Sequence, residues 1–394
     1  MLYLIPLIFS VICIILYDYK HYKRGYKLTY SLICIYCILI SGLSYRLGLD
    51  IVNFYMDEFE QYPEVQELSY KYLFGTEGRQ PGWLLFASIC KTVIPSFHFM
   101  KFIIAIILNI SIFSTIYKNT KLVFTGCCIY MLLLFFYFNF EILRESLAIS
   151  IFFFAFEYLK KEKWRKYYLL IGAAFLFHES SIFLIFLPLI KKIPINKRST
   201  YTYICVALFT MLFSDLFAWI PQLISSIPFF SEKATHYINS SYFGTMRDFS
   251  INELFGYIMS VYLPIFMIYI YKKSNTSFKF APLIIVYIFI SIFMSVFPIM
   301  QRLLNYLSIF YYIFYIELIR LFIYKFVGKK TMLLQTLFCS IYIIYTFSNS
   351  YLKPTERFLG FPQIVVYYPY ASIIDNEIDG TREIFYNLFF RRNI

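Results

Sequence analysis

The sequence predicts an all-α, polytopic integral membrane protein, and three observations predict it. Apolar residues make up 60% of the 394 and charged ones only 15%, against about 45–50% and about 25% in a soluble domain. Apolar runs long enough to cross hydrocarbon, which takes about 20 residues, recur from one end of the chain to the other. Lys and Arg gather in short clusters between those runs. No stretch is left over for a separate soluble domain, so 1–394 reads as a single transmembrane domain. The net charge of +13 does not indicate nucleic acid, because no soluble basic surface exists to carry it.

About ten runs read as full spans: 2–17, 28–45, 99–117, 122–140, 143–159, 200–217, 253–271, 280–299, 303–324 and 331–348. The first lacks a basic start and a small-residue cleavage site, so it reads as a retained span and not a signal peptide. The eight cysteines all fall in apolar segments. They read as small buried hydrophobes, and Cys34 and Cys37, though spaced as a CxxC pair, have no His or Cys partners nearby. Neither a disulfide framework nor a metal site is expected.

Orientation follows from the basic residues. The loops 18–27, 118–121, 160–166, 191–198, 272–279 and 325–330 hold 21 of the 36 Lys and Arg and only Asp18 and Glu162 of the 23 acids. Positive residues stay on the cytoplasmic side, so these six loops are expected inside and both termini outside. The outer parts are then the loops 46–80 and 218–252, a short apex at 141–145, and the tail 349–394.

Two apolar stretches do not fit as simple spans. Tyr167–Ile190 lies between two basic loops and must enter and return. Each arm has about eleven residues, roughly 16 Å at 1.5 Å per residue, and the turn falls at His178-Glu179-Ser180-Ser181. A polar turn at that depth persists only where protein or a wet cavity surrounds it. Pro81–Phe97 is read in the same way, as a second re-entrant or short helical hairpin, the alternative being a span paired with a tilted neighbour.

Charges at the mouth of a span or within the bilayer are costly, so they mark candidate working residues. Four groups stand out on the outer side. Arg46 and Asp50, with Tyr55 beyond them, end the second span. If the helix continues, the pair meets at i,i+4, as a functional site or as a surface ion pair. Glu141-Ile142-Leu143-Arg144-Glu145 forms the apex, and Arg144 opens the helix that follows. An arginine beside a helix N-terminus is unfavourable unless an anion comes between them, which sets an anion site against a capped turn. His178, beside Glu179, has the ordinary pKa suited to proton transfer near neutrality; the alternative is a hydrogen-bonded core histidine. Arg302 shares a helix face with Tyr306, as a site or as an interfacial anchor. Three arginines with a buried histidine and carboxylates suit a phosphate-bearing ligand, because the guanidinium fork donates two parallel hydrogen bonds. The acids of the first outer loop, Glu77 among them, and its Arg79 are placed to touch ligand. No compact phosphate-loop, metalloprotease or serine-hydrolase signature is present. The residues by themselves stop at a membrane enzyme or carrier for an anionic amphiphile.

Read in order, these residues resemble the EpsG-type branch of the bacterial O-antigen and exopolysaccharide polymerases, the Wzy class. Tyr-Arg-x-Gly-x-Asp at 45–50 with Tyr55, Arg-Glu-Ser-Leu-Ala at 144–148, Phe-His-Glu-Ser-Ser at 177–181, Arg302 with Tyr306, and Tyr-Tyr-Pro-Tyr at 367–370 are similar to that branch's segments. One departure stands out: the family often has Glu-Pro-Gly-Tyr where this chain has Gln80-Pro81-Gly82-Trp83. Gln80 is no base, so Glu77 or another acid would have to serve.

The resemblance implies a GT-C-like glycosyltransferase of the bacterial inner membrane, working at its outer face without a cofactor. It would join repeat units carried on undecaprenyl pyrophosphate. Arg144 and Arg302 would hold the leaving pyrophosphate as its charge grows, and Arg46 would join them or grip the acceptor's pyrophosphate. His178 would serve as general base or orient the acceptor hydroxyl, while Asp50 and Glu145 would set the arginine geometry. Tyr55, Glu77, Arg79, Glu179 and Tyr306 would contact substrate. The acidic loop and the tail would hold sugar, and could also bind a chain-length regulator. A glycan ligase and a flippase for the same lipid-linked unit are the alternatives. Against a flippase, the charges collect on one face and no internal repeat is seen. A membrane acyltransferase is disfavoured because His21 lies in a basic cytoplasmic loop.

Overall fold

The computed structural model describes residues 2–75, 79–212, 258–273, 281–294, 300–327, 332–355 and 358–392. Among them the chain is all-helical, and its only strand-like pairings are two isolated bridges, Ser44 with Ser372 and Pro354 with Pro362. Glu77 and the expected outer loop 218–252 lie outside the described residues. Two compact units result, one from 1–185 with 343–394 and the other from 186–342.

In the first unit, α1 (Leu4–Tyr19) and α2 (Tyr26–Gly42) lead to α3 (49–61), α4 (Tyr70–Gly75) and α5 (Pro81–Val93). Then come α6 (Phe97–Asn119) and α7 (Val123–Phe140), α8 (Leu143–Lys160) and α9 (Trp164–Phe175). By length and composition α6 and α7 suffice to cross a membrane, and α1 and α2 are shorter apolar helices. The outward faces of α1 and α2 agree with a lipid surround. Leu4, Ile8, Ile12 and Ile15 form one exposed stripe and Leu28, Leu32, Ile35 and Leu39 another, with Ile8 59% and Leu32 50% exposed. Water would oppose so large an apolar surface.

Contacts between helices fix what lies at each end of this unit, and α1 runs antiparallel to α7. Tyr3 at the start of α1 packs on Phe136 near the end of α7, and Tyr17 at the other end of α1 stacks on Phe124 at the start of α7. Tyr30 donates to the Phe113 carbonyl and Lys101 to that of Ser44, so α2 and α6 also run in opposite senses. Asp18 accepts from the Thr125 N–H and hydroxyl, capping α7 across the chain. Lys160 donates to Asn119. The basic loops 18–27, 118–121 and 160–166 therefore share one end of the unit. The other end gathers the 43–50 turn and the 141–145 apex.

Polar side chains hold the interior in register. Asn109 on α6 donates to Asn139 on α7, Tyr130 donates to the Asn109 carbonyl oxygen, and Asn139 donates to Tyr130. Among apolar helices such a ring specifies which faces meet, because a buried amide without partners is costly.

The two irregular stretches resolve into distinct shapes. Residues at both ends of α5 reach the same short segment: Trp83 donates to the Tyr62 hydroxyl and Lys91 to the Glu60 and Tyr62 carbonyls. Thirteen residues of helix amount to about 20 Å, and α5 begins and ends at the apex end of the unit. The 167–190 stretch is a hairpin: α9 climbs, the chain turns at 176–178, and a 3₁₀ helix, Glu179–Lys192, returns. Tyr167 donates to the Leu184 carbonyl, tying the two arms together. The arms are unequal, contrary to the expected symmetry, because a 3₁₀ helix rises about 2.0 Å per residue against 1.5 Å in α9.

The rest of the first unit is the tail. The segment 358–379 is irregular, and α15 (Gly380–Arg392) closes it. Arg382 is fully buried and donates to the Val365 and Pro369 carbonyls, fastening α15 to the loop before it.

The second unit contains α10 (Lys197–Leu212), α11 (258–273), α12 (Ala281–Met294), α13 (Gln301–Val327) and α14 (Met332–Phe347), whose last turns belong to the first unit. Its core is aromatic: Tyr287 stacks on Tyr311 at 4.0 Å and Tyr315 meets Tyr342 at 4.4 Å.

Candidate active site

The site end of the first unit is built around the apex, with one polar cluster on each side of it. The first is the 46–50 turn. The helix of the second span stops at Gly42, so the expected i,i+4 pairing of Arg46 with Asp50 does not form on one helix. Instead Arg46 sits in the turn with φ 46° and Gly48 with φ 101°, and α3 begins at Leu49. Gly48 is required here. A Cβ at this position would lie 2.1 Å from the Phe140 carbonyl oxygen, and L side chains disfavour this backbone region.

Glu141 holds the turn from across the chain. Its two carboxylate oxygens accept the N–H groups of Leu49 and Asp50 at 3.1 and 3.2 Å, the first donors of α3, which no residue of that helix satisfies. The Tyr367 hydroxyl donates to the same carboxylate at 2.7 Å, and its ring stacks on Phe136 and Phe140. Tyr386 adds a further link, donating to the Arg46 carbonyl at 3.2 Å. Burial, reinforced by the Asp50 charge, pushes the Glu141 carboxyl above the usual carboxylate range, and its three hydrogen bonds pull the other way. Burial also raises the Tyr367 hydroxyl well above the ordinary tyrosine value, with Glu141 adding to the shift.

The second cluster lies where α5 meets the hairpin. Gly82 lets the two backbones touch: its N–H donates to the Leu176 carbonyl at 2.8 Å, and a Cβ would come within 2.7 Å of that oxygen. This contact brings Arg79 and Gln80 beside the apex. Arg144, in the first turn of α8, donates to the Gln80 side-chain oxygen at 3.4 Å. Arg79 pairs with Glu58, and its pKa is lowered by burial and by the nearby Arg144 charge. Tyr55 packs on Trp83, whose indole donates to Tyr62.

His178 ends the hairpin turn. Its Nδ1 accepts from the Ser180 N–H at 3.3 Å and lies 2.6 Å from the Ser180 hydroxyl. That pairing assigns the neutral-ring proton to Nε2, which faces the buried Glu145 carboxylate at 4.0 Å. Glu145 therefore meets the histidine, where the expectation was that it would set an arginine. Glu179 follows His178 as the first residue of the 3₁₀ helix.

Of the expected site residues, Arg46, Asp50, Tyr55, Arg79, Arg144, Glu145, His178 and Glu179 all belong to the first unit. Arg302 and Tyr306 belong to the second, where Arg302 lies in the first turn of α13 and Tyr306 is fully buried. Among the described residues no group of three His, Cys, Asp or Glu is arranged to hold a metal. The sequence placed Glu141 in the apex group without a role of its own, and gave Tyr367 none. An acid three residues before Arg144, where two apolar helices turn, was the available signal for Glu141. For Tyr367 it was the tyrosine-rich Tyr-Tyr-Pro-Tyr segment.

The EpsG family description matches residues 27–372, a stretch that takes in both clusters and Arg302. The chain belongs to the EpsG family. No significant match was found among curated proteins or among solved structures. For the EpsG-family chain, membership points to a membrane-embedded polymerase of surface polysaccharide, glycosyltransferase-like in its chemistry. The match spans every motif that carried the resemblance.

Proposed function

We propose that this protein joins oligosaccharide repeat units carried on undecaprenyl pyrophosphate, at the outer face of the bacterial inner membrane, with about ten spans and a GT-C-like architecture. The observation that carries the reading is the cluster of Arg144, Arg79 and Gln80 against the His178–Glu145 pair, at the end of the unit opposite three basic loops. Cations are what a departing pyrophosphate needs, because negative charge grows on it as the glycosidic bond breaks. Arg144 and Arg302 stabilise that charge, and Arg46 grips a phosphate of donor or acceptor.

His178 acts on the acceptor hydroxyl. With its proton on Nε2 it orients that group. It takes the hydroxyl proton only after Nδ1 is released from Ser180, and Glu145 then stabilises the imidazolium. Asp50, Tyr55, Glu77, Arg79, Glu179 and Tyr306 contact substrate. An apolar cavity of about 200 Å³, lined by Pro6, Ile40, Phe136 and Tyr368 among others, lies beneath the tail and suits a prenyl segment.

The test is glycan length in cells whose own copy is deleted. Arg144→Ala and Arg302→Ala are expected to leave surface glycan of one repeat unit while the protein still inserts, and His178→Ala to stop elongation. Normal polymer from either arginine variant would sink the assignment. Loss of all surface glycan, with intact precursors held inside, would indicate a flippase instead.

A further inference from the structure

We propose that Glu141 and Tyr367 are positioning residues for the Arg46 anion site, and that the C-terminal tail is thereby part of that site. The inference rests on the reading of Arg46 as a phosphate ligand. Arg46 lies in a left-handed conformation, φ 46°, that L residues other than glycine disfavour. Its Nε is buried and has no hydrogen-bond partner among the described residues. A guanidinium so placed needs its backbone fixed from outside, because the turn's own sequence favours neither φ nor direction.

The structure supplies that fixing from two distant segments. Glu141 takes the N–H groups of Leu49 and Asp50, three and four residues beyond Arg46. Tyr367 braces the Glu141 carboxylate from the tail, and Tyr386 donates to the Arg46 carbonyl. The tail is itself sewn to the preceding residues by backbone bonds, Tyr45 to Ala371 and Ile373 to Leu43. Glu141 is spent on these donors and faces no substrate in this arrangement, so its effect on binding passes through Arg46.

The experiment uses the full-length protein in detergent micelles, titrated with inorganic pyrophosphate and read by calorimetry, with thermal unfolding of the unliganded protein as control. Arg46→Ala is expected to weaken pyrophosphate binding. Tyr367→Phe, which retains the ring stack, should weaken it about tenfold with little change in unfolding temperature, and Glu141→Gln, compared with wild type at one fixed pH, should weaken it at least as much. In the Arg46→Ala background neither should weaken it further, because residues acting through one group are not additive. Wild-type affinity in Tyr367→Phe alongside a weakened Arg46→Ala overturns the positioning role, as do losses that add to that of Arg46→Ala. If Glu141→Gln fails to fold, Tyr367→Phe alone decides. A wild-type protein indifferent to pyrophosphate, or an Arg46→Ala variant that binds normally, overturns the phosphate reading of Arg46 and this inference with it. Both results are separate from the glycan-length outcome for Arg144 and Arg302.

Discussion

The 46–50 turn and the 176–181 turn carry comparable side chains but are held in opposite ways. The first is pinned by residues far off in sequence: the 140–141 backbone and carboxylate, Tyr367 and Tyr386. The second is built mostly from its own neighbours. Backbone bonds run from Leu176, Phe177 and His178 to Ala173 and Ala174, Ser180 closes on His178, and Gly82 supplies one long-range contact. A turn fixed by tertiary contacts fails as a unit when one contact is lost. A locally closed turn retains its shape and shifts as a body. In enzymes the first suits a binding group that must be placed, and the second a group that moves a proton.

The sharpest way to break the contrast is at Gly48. Gly48→Ala meets both the Phe140 carbonyl and an unfavourable φ, so a loss of about 3 kcal/mol is expected, read as a lower unfolding temperature or failure to insert. Gly82→Ala, the equivalent change at the hairpin, pushes its Cβ against the Leu176 carbonyl. Here we expect about 1–3 kcal/mol and a larger effect on glycan length than on unfolding, because moving His178 away from Glu145 by 1 Å can cost about a hundredfold in rate.

A pH series sharpens the same comparison. The Glu141 carboxyl is raised above its ordinary value by burial and by Asp50. Between the ordinary and the raised pKa the folded protein retains a proton that the unfolded chain has released, so stability falls as pH rises through that window. The unfolding temperature of wild type relative to Glu141→Gln should fall from about pH 5 toward neutrality, and Asp50→Asn should flatten the slope. A slope rising with pH would contradict the burial argument. The smallest effect is expected at Gly172 within α9, where a Cβ meets nothing within 4 Å. Gly172→Ala should stabilise by about 0.5–1 kcal/mol and leave elongation unchanged.

The helices were legible because their signal is local. Expected runs 99–117 and 122–140 match α6 and α7 to within two residues at each end, since a long apolar run is a local signal for a membrane helix. The hairpin was legible too, from two basic loops expected on the same side with too few residues between them for two full spans. Arg144 and His178 stood out as costly residues in apolar surroundings. Glu141 stood in the same apex group as Arg144 but drew no role, because its importance comes from backbone groups some 90 residues earlier. Nothing in the run Asn139–Leu143 reveals that two N–H groups of another helix end there.

The sequence by itself determined the fold class, the helix positions, the segregation of basic loops and the family, because each follows from the order of side chains along the chain. Only the tertiary structure decided that α5 returns to the end where it began, that Glu145 faces His178, and that the tail closes over the 46–50 turn. Those outcomes depend on which backbone donors remain unpaired once the helices pack, and on how closely two backbones approach at Gly48 and Gly82. Both are properties of pairs of segments, and no single segment carries them.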